Sequence, residues 1–150
     1  MNKNLSKKGF TIIELLVVIA IIAVLASIVL VNVTGYINKG KDAAIQGNLA
    51  SVITNAAVAI DGGAAIDAVC DNPTIIAALA AADTAYDGNT TANQVTDCND
   101  ATTGWAACGQ LKVSDAYFCV DYSGAKKTIA TRAACVTAWE IAGVPVTVCP

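Results

Sequence analysis

Glu14 is the single charged residue between Gly9 and Asn38. An unpaired carboxylate inside a membrane-length apolar segment costs roughly 3 kcal/mol on insertion scales, so such a residue calls for a cationic partner. The start of a helix favours a carboxylate as well, because its first N–H groups lack partners within the helix. The plainer alternative is a first-turn acid tolerated near lipid headgroups. The context favours a role: Lys7-Lys8-Gly9-Phe10-Thr11 stands directly ahead of Glu14, and no charge follows until Lys39.

Cys70, Cys98, Cys108, Cys119, Cys135 and Cys149 form the second group able to do chemistry, and all six lie beyond the apolar segment. In an exported domain they would meet oxidising conditions, where disulfides are expected. A metal site is disfavoured by the absence of histidine and of any C-x-x-C spacing. Sequence does not choose among the possible pairings. Cys119 as a nucleophile has no histidine to activate it. The chain contains no nucleophile elbow and no phosphate loop, and the acids from Asp61 to Asp121 read as scattered through turns. No catalytic residue, metal or cofactor is therefore expected, and the chain reads as a non-enzyme. Trp105 and Trp139 read as core residues rather than ligand platforms.

The elements that position these groups begin with Ile12 to Val31, aliphatic apart from Glu14 and Ser27. As a helix this run is about 30 Å long, the hydrocarbon thickness of a bilayer. Lys3, Lys7 and Lys8 precede it and no acid does, so the N-terminal flank stays cytoplasmic and everything after Lys39 lies outside. Residues 1–9 read as a targeting leader. Removing them would take away three lysines and move the net charge from −3 to −6. That balance does not indicate nucleic acid as a partner, although Lys126, Lys127 and Arg132 are local basic groups. With 150 residues and 55% hydrophobic content, one compact domain plus the apolar segment is the expected organisation.

Beyond Val31 the pattern becomes periodic. Ile37, Ile45, Leu49, Val52, Ile53, Ala56 and Ile60 recur at spacings near three and four, one apolar stripe on a continuing helix. The two halves join without proline, so one helix from about Phe10 to about Ile60 would be roughly 75 Å long. Gly35, Gly40 and Gly47 make its middle the weakest part, and Asp61-Gly62-Gly63 stops it. Pro73, behind Asp71 and Asn72 as caps, predicts a helix over 73–82. Residues 83–104 read as a long loop. Strands are expected over 110–113, 116–122 and 126–130, the last two joined at Ser123-Gly124. A helix over 133–142 and a strand over 144–149 are expected at the end. The fold class is α+β: a long N-terminal helix, membrane-spanning then amphipathic, packed on a small antiparallel sheet with a disulfide-rich C-terminal region. The expected divisions are a leader at 1–9, an assembly helix at 10–34 and an extracytoplasmic head at 35–150.

Lys7-Lys8-Gly9-Phe10-Thr11-Ile12-Ile13-Glu14-Leu15-Leu16 closely resembles the N-terminal motif of the type IV pilins and pseudopilins. The resemblance covers about residues 3–60 well and the rest in outline. Tyr117-Phe118-Cys119-Val120-Asp121 ahead of Ser123-Gly124 is also similar to bacterial pilin-like sequences. In that family a prepilin peptidase cuts after the glycine and N-methylates the new N-terminal phenylalanine, which implies cleavage between Gly9 and Phe10 and methylation of Phe10. The residue matching Glu14 neutralises the N-terminal amine of an adjacent subunit during filament growth. The implied partners are the peptidase, the membrane and pilus assembly machinery, and further copies in a helical homo-oligomer. The implied location is the cytoplasmic membrane as a single-pass precursor with its head outside, then an extracellular pilus on the cell surface. The chain departs from many family members where a proline is usual, since that region reads Ala26-Ser27-Ile28-Val29-Leu30-Val31.

The resemblance leaves open a long pilus for adhesion, motility or DNA uptake, and a pseudopilus of type II secretion. Two other readings compete. In one, Val24-Leu25-Ala26 is a signal-peptidase site before Ser27 and the rest is a secreted disulfide-rich binding domain; Glu14 argues against the uninterrupted apolar core this needs. In the other, the single span persists and tethers a ligand-binding head.

Overall fold

The computed structural model describes residues 9–88, 95–132 and 149. Its elements are a helix α1 (Ile12–Asp61), a 3-10 turn (Ile66–Ala68), a helix α2 (Pro73–Asp87) and strands β1 (Thr96–Ala101), β2 (Gly104–Gln110), β3 (Tyr117–Asp121) and β4 (Lys126–Ile129). The architecture is α+β, and the chain falls into two compact units divided after Tyr36.

In the first unit the apolar residues of α1 cover the whole circumference of the helix. Ile12, Leu16, Ile19, Val24 and Leu30 are all exposed. A helix apolar on every side has no face of its own to turn to water, which is the pattern of a membrane span or a bundle core. By length and composition this segment can cross a membrane.

The second unit begins at Ile37. Here α1 is amphipathic: Ile45, Leu49, Val52 and Ala56 are fully buried, with Ile53 and Ile60 packed beside them. Their spacing of four, three and four residues keeps them on one face. They meet Trp105, Ala107 and Val120 from the sheet, Leu111 just after β2, and Ile75, Ala78 and Ala82 from α2. Ile37 does not join this stripe; it is exposed. The helix ends as expected at Gly62 and Gly63, where Gly63 has φ 96° and the N–H of Ala64 donates to the carbonyl of Ala59 at 2.9 Å.

The sheet is an antiparallel meander in the order β1-β2-β3-β4. Strands β2 and β3 are buried on both faces. Register sets Ala107 opposite Val120 and Cys108 opposite Cys119; because side chains alternate, the first pair joins the α1 core and the second pair the opposite face. On that opposite face Cys108, Tyr117, Cys119, Ile129 and Cys149 form a second cluster. Gly109 marks a close approach of α1, since a Cβ there would lie 3.0 Å from Leu49 Cδ1 and 3.2 Å from Thr96 Cγ2.

The expected elements are corrected in four places. α2 starts at Pro73 with Asn72 as its cap, but it runs to Asp87, because Asp83 faces inward and Gly88 closes the helix with φ 84°. The expected loop over 83–104 holds the end of α2 and all of β1; β1 escapes notice because Thr96-Asp97-Cys98-Asn99-Asp100-Ala101 lacks apolar alternation and is held by pairing. The strand expected over 110–113 lies earlier, at Gly104–Gln110, and Lys112 and Val113 belong to the following turn, where their N–H groups donate to Asp42 of α1. The acids assigned to turns include Asp83 in α2, Asp97 and Asp100 in β1 and Asp121 in β3. The elements expected over 133–142 and 144–149, and Trp139, lie outside the described residues, Cys149 excepted.

Candidate assembly and processing site

Gly9 and Phe10 precede the helix, and Thr11 opens it: the N–H of Leu15 donates to the Thr11 carbonyl at 3.3 Å. The carboxylate of Glu14 turns back on this end. Its Oε2 accepts the Thr11 backbone N–H at 2.9 Å and the Thr11 hydroxyl at 2.7 Å, while the Glu14 N–H donates to Thr11 Oγ1 at 3.3 Å. This reciprocal pairing is a capping box, which satisfies N–H groups that the helix itself leaves without partners. Thr11-Ile12-Ile13-Glu14 carries the T-x-x-E signal for it, so Thr11 is a residue that sequence could have revealed.

Glu14 and Phe10 are both exposed, and with Ile13, Val17 and Val18 they line a shallow apolar hollow. Glu14 therefore starts the helix, four residues beyond Phe10, and its carboxylate has lone pairs enough for donors besides those of Thr11.

The other candidates are distributed through the second unit. Cys70 is bonded to Cys98 and Cys119 to Cys149, each pair with Cα atoms 5.8 Å apart. Cys108 is also disulfide-bonded, and Cys135 lies outside the described residues. Among the described residues no group of three or more His, Cys, Asp and Glu could hold a metal ion. The disulfides fasten flanking segments to the sheet: Cys119 ties β3 to Cys149, Cys70 ties the segment after α1 to β1, and Asp100 Oδ2 accepts the Cys70 N–H at 2.6 Å beside it.

Asp121 does similar work at the β3–β4 turn. It is 2% exposed, its Oδ1 accepts the N–H of Ser123 and Ala125 and the Ser123 hydroxyl, and its Oδ2 accepts the Cys149 N–H at 2.8 Å. Burial works to raise its pKa, but these hydrogen bonds outweigh it and hold the carboxyl below the usual aspartate range.

Residues 4–30 match the family model described as the prokaryotic N-terminal methylation motif. This N-terminal segment is thus similar to a type IV prepilin motif. A 46-residue stretch of the chain is 48% identical to the type IV major alpha-pilin of Moraxella bovis. That stretch is 31% of this chain and 29% of the Moraxella protein, so the likeness covers under a third of either. No solved structure matches the chain. Gly9, Phe10, Thr11 and Glu14 all fall within the matched motif, and the disulfide-braced second unit falls beyond it.

Proposed function

We propose that this chain is a prepilin, a structural subunit polymerised into a type IV pilus-like filament. The observation that carries the proposal is Glu14: a carboxylate at the mouth of a helix that is apolar and exposed on all sides through Leu30. Prepilin peptidase cuts between Gly9 and Phe10 and methylates the new amine of Phe10. The Glu14 carboxylate of an incoming copy then neutralises that amine on an adjacent subunit.

The physics of assembly supports this order. A helix solvated by lipid tails leaves the bilayer when other copies supply an equally apolar surrounding, and a buried carboxylate is tolerated there when it is paired. In this proposal residues 1–9 are the leader, 10–34 span the membrane and later line the filament core, and 35–150 form the head outside. The exposed apolar girdle is the surface that other copies would cover. A head braced by disulfides suits an extracellular location.

The experiment is fractionation of cells that make the chain. Sheared surface filaments should contain it in a form lacking residues 1–9. Recovery solely from the membrane, with no filament fraction, would favour the tethered head instead.

A further inference from the structure

Asp83 is buried, 4% exposed, and takes no part in processing or assembly at Gly9–Glu14. It lies near the end of α2 and reaches across to the start of β1. Its Oδ1 accepts the N–H groups of Val95 and Thr96, both at 3.0 Å, and its Oδ2 accepts the Thr96 hydroxyl at 3.0 Å.

The two oxygens differ in what they face. A backbone N–H can only donate, whereas a hydroxyl can donate or accept. A proton arriving on Oδ2 would be accommodated by turning the Thr96 hydroxyl round, so that Asp83 donates and Thr96 accepts. Both bonds to Oδ1 survive. Asp121 has no such freedom, because its Oδ2 faces the Cys149 N–H and its Oδ1 takes three donors. Protonating Asp121 must cost a hydrogen bond; protonating Asp83 need not.

The surroundings of Asp83 reward proton uptake. With Ile76, Leu79, Ala80, Thr96, Asp97 and Cys98 it lines a cavity of about 450 Å³. Among the described residues the charged groups facing it are Asp87, one turn further along α2, and Asp97 of β1, which is itself paired with Arg132 at 3.1 Å. Among the described residues its hydrogen-bond partners are Val95 and Thr96, and neither is a cation. Burial pushes its pKa above the ordinary aspartate value and Asp87 adds to the rise, while the bonds from Thr96 and Val95 oppose it.

We propose that Asp83, with the Thr96 hydroxyl, is a proton-uptake site that tightens the join between α2 and β1 on acidification. A carboxyl whose folded value is raised stabilises the fold below its unfolded value, and that contribution is lost as pH rises through the folded value. The join matters because β1 also carries Cys98, bonded to Cys70, and Asp97 and Asp100, which hold Arg132 and the Cys70 N–H.

The test uses the full chain in detergent micelles with its disulfides intact. Carbon NMR follows the carboxyl groups through a pH titration, and hydrogen exchange follows the amides of Val95 and Thr96. Asp83 is expected to titrate above the exposed aspartates. Protection of the two amides, corrected for intrinsic exchange, is expected to rise about threefold or more as pH falls from about 7 to below the titration point found for Asp83. Asp83→Asn keeps an acceptor for both amides and places a donor against Thr96, so it should preserve protection and flatten its pH dependence. Titration of wild-type Asp83 with or below the exposed aspartates would overturn the proposal. So would protection that stays level or falls on acidification, or an Asp83→Asn protein with the wild-type pH dependence.

Discussion

Glu14 Oε2 accepts both the backbone N–H and the hydroxyl of Thr11, at 2.9 and 2.7 Å. One carboxylate thus starts the helix and stands beside the end that processing would make positive. The two roles separate by substitution. Glu14→Gln keeps an acceptor for Thr11 but removes the charge, while Glu14→Ala removes both. Both variants are expected to lose the leader and to assemble far fewer filaments, measured as the yield of sheared filaments. Normal yield from Glu14→Gln would show that charge neutralisation is not what Glu14 does.

Thr11→Val deletes the hydroxyl that both donates to and accepts from Glu14, and Thr11→Ser keeps it. Loss of an N-cap costs about 1 kcal/mol. Amide exchange at Glu14 and Leu15 in micelles should therefore quicken in Thr11→Val and stay near wild type in Thr11→Ser.

Much of the fold was legible where signals are local. The end of α1 at Gly62-Gly63, the Asn72-Pro73 start of α2 and the hairpin at Ser123-Gly124 each rest on a few adjacent residues. β1 was illegible because its stability comes from partners distant in sequence: β2 in register, the Cys70 disulfide and the Asp97–Arg132 pair. β2 was misplaced because Ala106, Ala107 and Gly109 are small and buried on both faces, which leaves no alternation to read. At the candidate site Glu14 stood out as a charge, and that prominence hid its ordinary part in a T-x-x-E cap. Asp83 and Asp121 looked like turn residues because composition does not say which way a carboxylate faces.

Gly109→Val tests the packing of α1 on β2. The first added carbon would meet Leu49 Cδ1 at 3.0 Å and Thr96 Cγ2 at 3.2 Å. Overpacking of this kind costs about 1–3 kcal/mol. Denaturant unfolding of the oxidised protein should show a lowered midpoint; an unchanged midpoint would mean that α1 and β2 are not so closely held.

Asp121 sets the acid limit of the second unit. Its folded pKa lies below the ordinary 3.8, so the stability it contributes is present above that value and is lost as pH falls through the folded value. Asp121→Asn, which leaves buried donors without an equal acceptor, should cost about 2 kcal/mol near neutral pH. It should also flatten the fall in stability on the acid side. Unfolding curves collected down to about pH 2 check both.

The most direct measurement is the N-terminal residue and intact mass of the chain purified from cells that assemble surface filaments. The proposed function predicts N-methylated Phe10 at the start, with residues 1–9 absent. A chain beginning at Ser27 would mark a secreted domain, and one retaining Met1 would mark an unprocessed protein. Either result would contradict the account.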